Sequence, residues 1–136
     1  MSETRRGFQL SVLPGSLAMV RLAPNAALPS WSVQGGFFSV TRTDDELSIV
    51  CPADRVPSGV RAETGFRALK VRGPFALSEI GVLAALAAPL AAAKVSVFVI
   101  STFETDYLLV NEEQLPAAVA ALRSDGHQVA DAGGAA

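Results

Sequence analysis

The sequence predicts an α+β protein made of two tandem ferredoxin-like (βαββαβ) units, of which the N-terminal one is degenerate, with a reduced first helix. Two observations support this prediction. From residue 66 onward the apolar pattern gives the order strand, helix, strand, strand, helix, strand, which is the order of the split βαβ motif. Residues 8–65 instead show short strand-like patterns interrupted by proline and glycine, and these could supply the strands of a second copy.

The N-terminal unit is predicted to contain two hairpins. Pro14-Gly15-Ser16 is a turn signal between the first two strands, and Thr43-Asp44-Asp45-Glu46 forms the turn between the next two. Residues 23–29 hold two prolines and predict one short helical turn at most, and residues 52–59 predict a loop with room for another turn. The four predicted strands are Gln9–Val12, Ala18–Leu22, Phe37–Arg42 and Leu47–Cys51.

The C-terminal unit begins with a strand at Phe66–Val71, where apolar and basic residues alternate. A helix follows over Ser78–Ala93, with an apolar stripe at helical spacing. Ser78 suits the N-cap position, and Glu79 places a favourable negative charge in the first turn. Pro89 is expected to kink this helix or to mark its last turn.

Two further strands, a second helix and a last short strand complete this unit. The strands Val95–Ile100 and Asp106–Val110 flank a short polar insert, and the helix spans Glu112–Ser124. Gly126 is well placed to end that helix, and residues 127–129 can form the last strand. The predicted organisation is a flexible N-terminus, the degenerate unit, the regular unit and a flexible tail, at residues 1–7, 8–65, 66–130 and 131–136.

Composition excludes several classes of function. The net charge of −2 gives no basic footprint for nucleic acid, and the Ala-rich run at 82–93 is too short to span a membrane. We read no signal peptide after Arg5 and Arg6, and the single cysteine fits a reducing cytoplasm. One histidine and one cysteine, far apart, support neither a metal site nor a catalytic set, and no cofactor-binding loop is present, so we expect no enzyme.

The polar residues of the C-terminal unit suit a free amino acid. The turn Gly73–Glu79 would open onto unpaired helix N–H groups, which bind carboxylates. Asp106, with Thr102 and Thr105, offers acceptors for an ammonium group. The first and third strands of the split βαβ motif are neighbours, and the first ends where the third begins. We therefore expect the two groups to converge.

Each of these residues also has a purely structural interpretation. Asp106 could simply cap its turn, and Glu79 could serve only the helix start. Ser101, Thr102 and Thr105 are ordinary turn residues, and Phe103 either plugs the core, which we favour slightly, or shields a ligand. Gly81 lies one turn into the predicted helix, where glycine costs about 1 kcal/mol relative to alanine. It therefore indicates close approach by a ligand or by a neighbouring backbone.

Three segments carry a resemblance to a known family. They are residues 37–50, residues 73–93 and, above all, Val95-Ser96-Val97 with Ile100 to Asp106. Through them the chain resembles the small tandem ACT-domain proteins related to the ACT pairs of aspartate kinases. It is also similar to one half of the animal cytosolic arginine sensor that acts upstream of the TOR kinase complex. The resemblance covers roughly residues 8–129.

The resemblance implies a regulatory module that binds a free amino acid, with no catalysis of its own. By that resemblance the ligand would lie between ACT units, and a two-fold homodimer could bring both contributing sets of residues together. Arginine is not implied as the ligand, and the regulated protein stays unidentified. The alternative is a structural module for dimerisation or docking that binds no ligand. The positions implied as contacts are Ser96, Val97, Glu79, Val82, Thr102, Phe103 and Asp106.

Overall fold

The computed structural model describes residues 7–73 and 80–131, which divide into two units. We call residues 15–66 the strand unit, and residues 7–14, 67–73 and 80–131 the helical unit. The strands are β1 (Gln9–Val12), β2 (Leu17–Leu22), β3 (Ser39–Arg42), β4 (Leu47–Pro52), β5 (Ala62–Val71), β6 (Phe98–Ser101), β7 (Asp106–Asn111) and β8 (Gln128–Ala130), and the helices are α1 (Val82–Ala92) and α2 (Leu115–Ser124).

The helical unit has the strand order β8-β1-β5-β7-β6. The order strand, helix, strand, strand, helix, strand predicted from residue 66 onward is confirmed by β5, α1, β6, β7, α2 and β8. Strand β1 is added to this motif, antiparallel to β5 and parallel to β8. Helices α1 and α2 pack on one face of the sheet, because their buried residues belong to one core with those of the strands. That core includes Leu10, Leu69, Leu86, Leu90, Leu108 and Leu122.

The predicted hairpin between the first two strands is wrong. Strand β1 pairs with β5 and β8, whereas β2 pairs with β4 and β5. The physical reason is that Leu10 and Val12 place their side chains in the core of the helical unit, where two strand edges are open to β1. The turn signal at Pro14-Gly15-Ser16 therefore marks the boundary between the units. Residues 8–14, which the sequence grouped with the N-terminal unit, lie in the helical unit.

The strand unit arranges four strands in the order of the same motif, without an added strand and with almost no helix. Its strands lie in the order β5-β2-β4-β3, all antiparallel. Where the motif has its two helices, the chain forms single 3-10 turns at Ser30–Val33 and Ala53–Arg55. The unit is therefore more degenerate than predicted, because both helices are reduced. A small core replaces the helical layer and is built from Val20, Leu47, Ile49 and Cys51 with Trp31 and others packed against it. The predicted hairpin between β3 and β4 is confirmed.

Helix α1 begins later than predicted. It starts at Val82, and Gly81 is its N-cap, in the left-handed conformation with φ of 87°. The predicted N-cap Ser78 and the first-turn Glu79 lie outside the described residues. Pro89 lies inside the helix and begins its last turn, residues 89–92, as one of the two predicted placements has it. Since Gly81 precedes the helix, the cost of a glycine in a helix interior does not apply to it.

The end of α2 matches its prediction. Gly126 has φ of 95°, the His127 N–H donates to the Leu122 carbonyl at 3.0 Å, and the Gly126 N–H donates to that of Arg123 at 3.1 Å. This pair of bonds is the Schellman motif. A 3-10 turn at Glu112–Gln114 occupies the beginning of the predicted helix. Within the described part of the chain, neither helix is long and apolar enough to cross a membrane. The predicted flexible ends lie almost wholly outside the described residues.

Candidate functional site

The polar turn between β6 and β7 is closed by Thr102. The Thr102 N–H donates to the Thr105 carbonyl at 2.8 Å, and the Thr102 hydroxyl donates to the same oxygen at 3.1 Å. In return, the Thr105 N–H donates to the Thr102 hydroxyl at 3.3 Å. The Thr102 hydroxyl is therefore engaged in holding the turn, as the structural interpretation of this residue predicts.

Thr105 fastens that turn to the end of β5. Its side chain is buried, and its hydroxyl donates to the Val71 carbonyl at 2.6 Å. The start of the third strand of the motif therefore lies beside the end of the first, as the predicted topology requires. Of the predicted turn Gly73–Glu79, only Gly73 is described. The convergence of that turn with Asp106 stays a prediction.

Asp106 presents a half-buried carboxylate at this end of the sheet. It faces Ser101 across the β6–β7 ladder, and the Ser101 hydroxyl donates to its Oδ1 atom at 2.6 Å. Among the described residues no cation pairs with Asp106. A carboxylate can accept about four hydrogen bonds, so most of its capacity is open to a ligand that carries N–H groups.

Among the described residues, no side chain caps the N-terminus of α1. The Gly81 carbonyl already accepts from the Ala85 N–H at 3.0 Å, while the first N–H groups of the helix have no intrahelical acceptor. A methyl group added to Gly81 would meet nothing within 4 Å among the described atoms. The prediction of close approach at this glycine is therefore not supported by any described neighbour, and its left-handed backbone explains its presence. Val82 is buried in the core.

Ser96 and Val97 lie just before β6, which begins at Phe98 rather than at the predicted Val95. Ser96 is exposed, and its N–H donates to the Gln114 side-chain oxygen at 3.3 Å. Val97 is half-buried and packs against the core of the helical unit. Their predicted contact with a partner chain requires exposure, which Ser96 has and Val97 has in part.

Several large apolar side chains of the helical unit are exposed, and the sequence analysis missed all but one. Phe103 is 78% exposed, so the core role that we favoured for it is wrong. The alternative, that it shields a ligand, stays a prediction. Ile80 is 86% exposed just before α1. Strand β6 pairs only with β7 among the described strands, and Phe98 and Val99 on this edge are also exposed. The signal for Phe103 was an aromatic ring within a polar turn.

Comparison with protein families identifies the helical unit. The model of the ACT domain matches residues 61–124. Residues 61–124 therefore belong to the ACT-domain family. A separate model of an N-terminal domain matches residues 15–59, which nearly coincides with the strand unit.

Curated relatives include the protein named cytosolic arginine sensor for mTORC1 subunit 1. The Bos taurus protein is 33% identical over 100 residues, which cover 66% of this chain. The Homo sapiens protein is 32% identical over 95 residues, or 64% of this chain. This ACT-domain chain spans about 30% of the length of these relatives.

Solved structures show the same fold. A crystal structure of an Agobacterium tumefaciens protein is 41% identical with a TM-score of 0.88, over 93% of this chain and 94% of that one. A Vibrio cholerae protein of unknown function, described as a possible transport protein, is 20% identical with a TM-score of 0.70, over 88% and 90%. The ligand-free regulatory subunit of aspartate kinase from Thermus thermophilus is 10% identical with a TM-score of 0.58, over 82% and 91%.

Proposed function

We propose that this ACT-domain chain is a non-catalytic regulatory module that binds a free amino acid. The observation that carries the proposal is the state of Asp106. Its carboxylate is half-buried and is held in place by the Ser101 hydroxyl, and the described residues offer it no cation. An ammonium group supplies the charge and the three N–H donors that such a carboxylate lacks. The arginine sensors to which the chain is similar support this class of ligand.

The carboxylate of the ligand would bind at the beginning of α1. That helix is 11 residues long, and none of the described side chains caps it, so its first N–H groups and its dipole favour an anion. Thr105 fixes the start of β7 against the end of β5, from which the chain leads to α1. Thr105 and Thr102 would act by positioning Asp106, since their hydroxyls are engaged in backbone bonds. Glu79 would add a second acceptor for the ammonium group.

A homodimer would complete the site. Two chains related by a two-fold axis could place Ser96 and Val97 of one chain opposite Glu79 and Asp106 of the other. Strand β6 pairs only with β7 among the described strands, and Val99 on it is exposed. This edge supplies a surface for such pairing, because an unpaired strand edge is a template for another chain. The protein that this module regulates would be a separate partner, and we place the module in the cytoplasm.

The second candidate is a module that dimerises or docks without a ligand. The exposed side chains of Ile80, Val99 and Phe103 favour it, because large apolar residues rarely stay exposed together without a partner. This candidate predicts a stable oligomer that no amino acid affects.

Thermal unfolding in the presence of each of the twenty amino acids separates the two candidates. A ligand at one hundred times its dissociation constant adds about 2.7 kcal/mol to the free energy of unfolding, which raises Tm by on the order of 8 °C in a chain of this size. If no amino acid raises Tm, the structural module is the correct interpretation.

The variant Asp106→Asn tests the assigned role directly. It keeps the hydrogen bond from Ser101 but removes the negative charge, so the rise in Tm should disappear. Glu104→Gln is the matched control, because Glu104 is an exposed carboxylate in the same turn. Sedimentation velocity with and without the active amino acid then tests the dimer, and a monomer under both conditions would exclude it.

A further inference from the structure

A second candidate site lies in the helical unit, on the side of the sheet that carries α2. A groove of about 450 Å³ runs along this helix. Apolar side chains form its walls and two arginines, Arg67 and Arg123, also line it. The remaining lining residues are Val12, Leu115, Pro116, Val119, Ala120 and Asp131. None of these residues belongs to the proposed amino-acid site.

Arg67 occupies a strand position that the core would otherwise fill. It alternates along β5 with Leu69 and Val71, both of which lie in the core beneath the helices. Its Nη2 atom donates to the Leu13 carbonyl at 2.9 Å. Its Nε atom is buried and has no hydrogen-bond partner among the described residues. That atom is closed to solvent, but Arg67 also lines the groove, and no described carboxylate pairs with the charge of its guanidinium.

Arg123 lines the groove from the last turn of α2. It follows Leu115 and Val119 at intervals of four residues, so the three side chains lie along one stripe of the helix. Its Nη2 atom donates to the Val129 carbonyl at 2.7 Å. The same atom lies 3.7 Å from Oδ1 of Asp131, whose side chain is 87% exposed. Such an exposed ion pair contributes little, so an incoming anion can replace it.

We propose that this groove binds a small monocarboxylate with a short apolar tail. The carboxylate would accept from the guanidinium groups of Arg67 and Arg123, and the tail would lie over Leu115 and Val119. Guanidinium groups recognise carboxylates by paired N–H donors. The groove volume is within the range of small-molecule sites. A free amino acid fits poorly, because its ammonium group would face two cations and only one exposed carboxylate, that of Asp131.

Hexanoate is the probe, and titration is followed by two-dimensional amide NMR of the whole chain. We expect hexanoate at millimolar concentration to change the amide chemical shifts of residues 115–123. Hexanamide has the same shape without the charge and should bind at least tenfold more weakly. Equal binding of the two compounds, or no shifts with hexanoate at millimolar concentration, would overturn the proposal.

Charge variants then test the two arginines. Arg67→Gln and Arg123→Gln should each weaken hexanoate binding about tenfold, since each removes a charged donor to the carboxylate. Asp131→Asn should tighten it about twofold because the competing carboxylate is removed. Arg55→Gln is the matched control, because Arg55 lies in the strand unit and bonds there to Gln34.

The amide spectrum reports whether each variant is folded, and Arg123, which is exposed, can be replaced without disturbing the core. Unchanged binding in both folded arginine variants would refute the site. Asp106→Asn should leave hexanoate binding intact, so failure of the amino-acid site and failure of this groove are separate results.

Discussion

The Nε2 atom of His127 lies 3.2 Å from the carbonyl oxygen of Ala85. That oxygen is the one whose intrahelical donor would be the N–H of residue 89, and Pro89 has none. The Nδ1 atom of His127 accepts the Phe8 N–H at 3.0 Å, so the neutral ring carries its proton on Nε2 and donates it to Ala85. The imidazole thus joins the N-terminal segment to α1 and satisfies the carbonyl that proline leaves open.

Replacement of His127 should destabilise the helical unit. The rings of Phe8 and His127 stack with their centroids 5.8 Å apart. The variant His127→Phe largely keeps an aromatic ring in this place, but it loses both hydrogen bonds. The Phe8 N–H and the Ala85 carbonyl would be left unpaired, which we expect to lower the free energy of unfolding by about 2–4 kcal/mol. Urea denaturation measures this loss.

Pro89→Ala provides the matched test of the link between His127 and the helix. Alanine restores an intrahelical donor for Ala85, so His127→Phe should cost about 1 kcal/mol less in the Pro89→Ala background. If the two effects are simply additive, the Ala85 carbonyl does not depend on the imidazole.

The hydroxyl of Thr105 should matter more than that of Thr102. Thr105→Val keeps the shape of a buried side chain but removes the donor to the Val71 carbonyl, and we expect a loss of about 1–2 kcal/mol. Thr102 is exposed, and water can replace its bonds in Thr102→Val, so a smaller loss should follow. Urea denaturation of the two variants decides the order, and equal losses would contradict it.

Local signals in the sequence predicted the parts of the fold that are held by local bonds. Gly126 predicted the end of α2 because its Schellman bonds involve only neighbouring residues. The β3–β4 hairpin was predictable because its acidic turn joins adjacent strands.

The pairing of β1 with β5 and β8 was not predictable in this way. It joins residues more than fifty positions apart, and Leu10 and Val12 would fit either unit by polarity alone. Helix α1 was drawn too long because its apolar stripe extends upstream and conceals the left-handed Gly81.

The candidate site was predictable only in its side-chain chemistry. The sequence identified Asp106 as an acceptor and anticipated that the first and third strands meet at one end. It did not identify Thr105 as the residue that fastens them, because an ordinary turn threonine and one bonded to a distant carbonyl look alike in sequence. The groove between Arg67 and Arg123 was missed because it depends on how β5 and α2 pack together.

Cys51 should make the stability of the protein sensitive to alkaline pH. Burial in the core of the strand unit raises the pKa of its thiol, and the nearby carboxylate of Asp54 adds to that effect. Below the ordinary thiol pKa of about 8.5, both folded and unfolded chains hold the proton. Above it the unfolded chain ionises first, so the free energy of unfolding falls as pH rises through the folded-state pKa.

Urea denaturation between pH 7 and pH 10 measures this dependence, with Cys51→Ala as the control. The wild-type chain should lose more stability over this range than the variant, and parallel curves would contradict the prediction. The native thiol should also react slowly with a disulfide reagent at neutral pH, since Cys51 is fully buried and little thiolate forms.

Lys94→Gly should stabilise the protein. Lys94 follows α1 with φ of 62° and is the one residue other than glycine with positive φ among those described. The Val95 N–H donates to the Leu90 carbonyl at 2.9 Å, so the helix ends as α2 does, but with lysine where α2 has glycine. A left-handed residue with a Cβ costs about 1–2 kcal/mol, and glycine gives back part of this through the entropy of the unfolded chain. We expect Lys94→Gly to raise the free energy of unfolding, measured by urea denaturation, by about 0.5–1 kcal/mol.

Gly81→Ala is the matched variant at the other end of α1. It places a Cβ on a left-handed residue, so it should lower the free energy of unfolding by about 1 kcal/mol. Changes of the same sign in the two variants would show that backbone conformation does not govern the two ends of this helix.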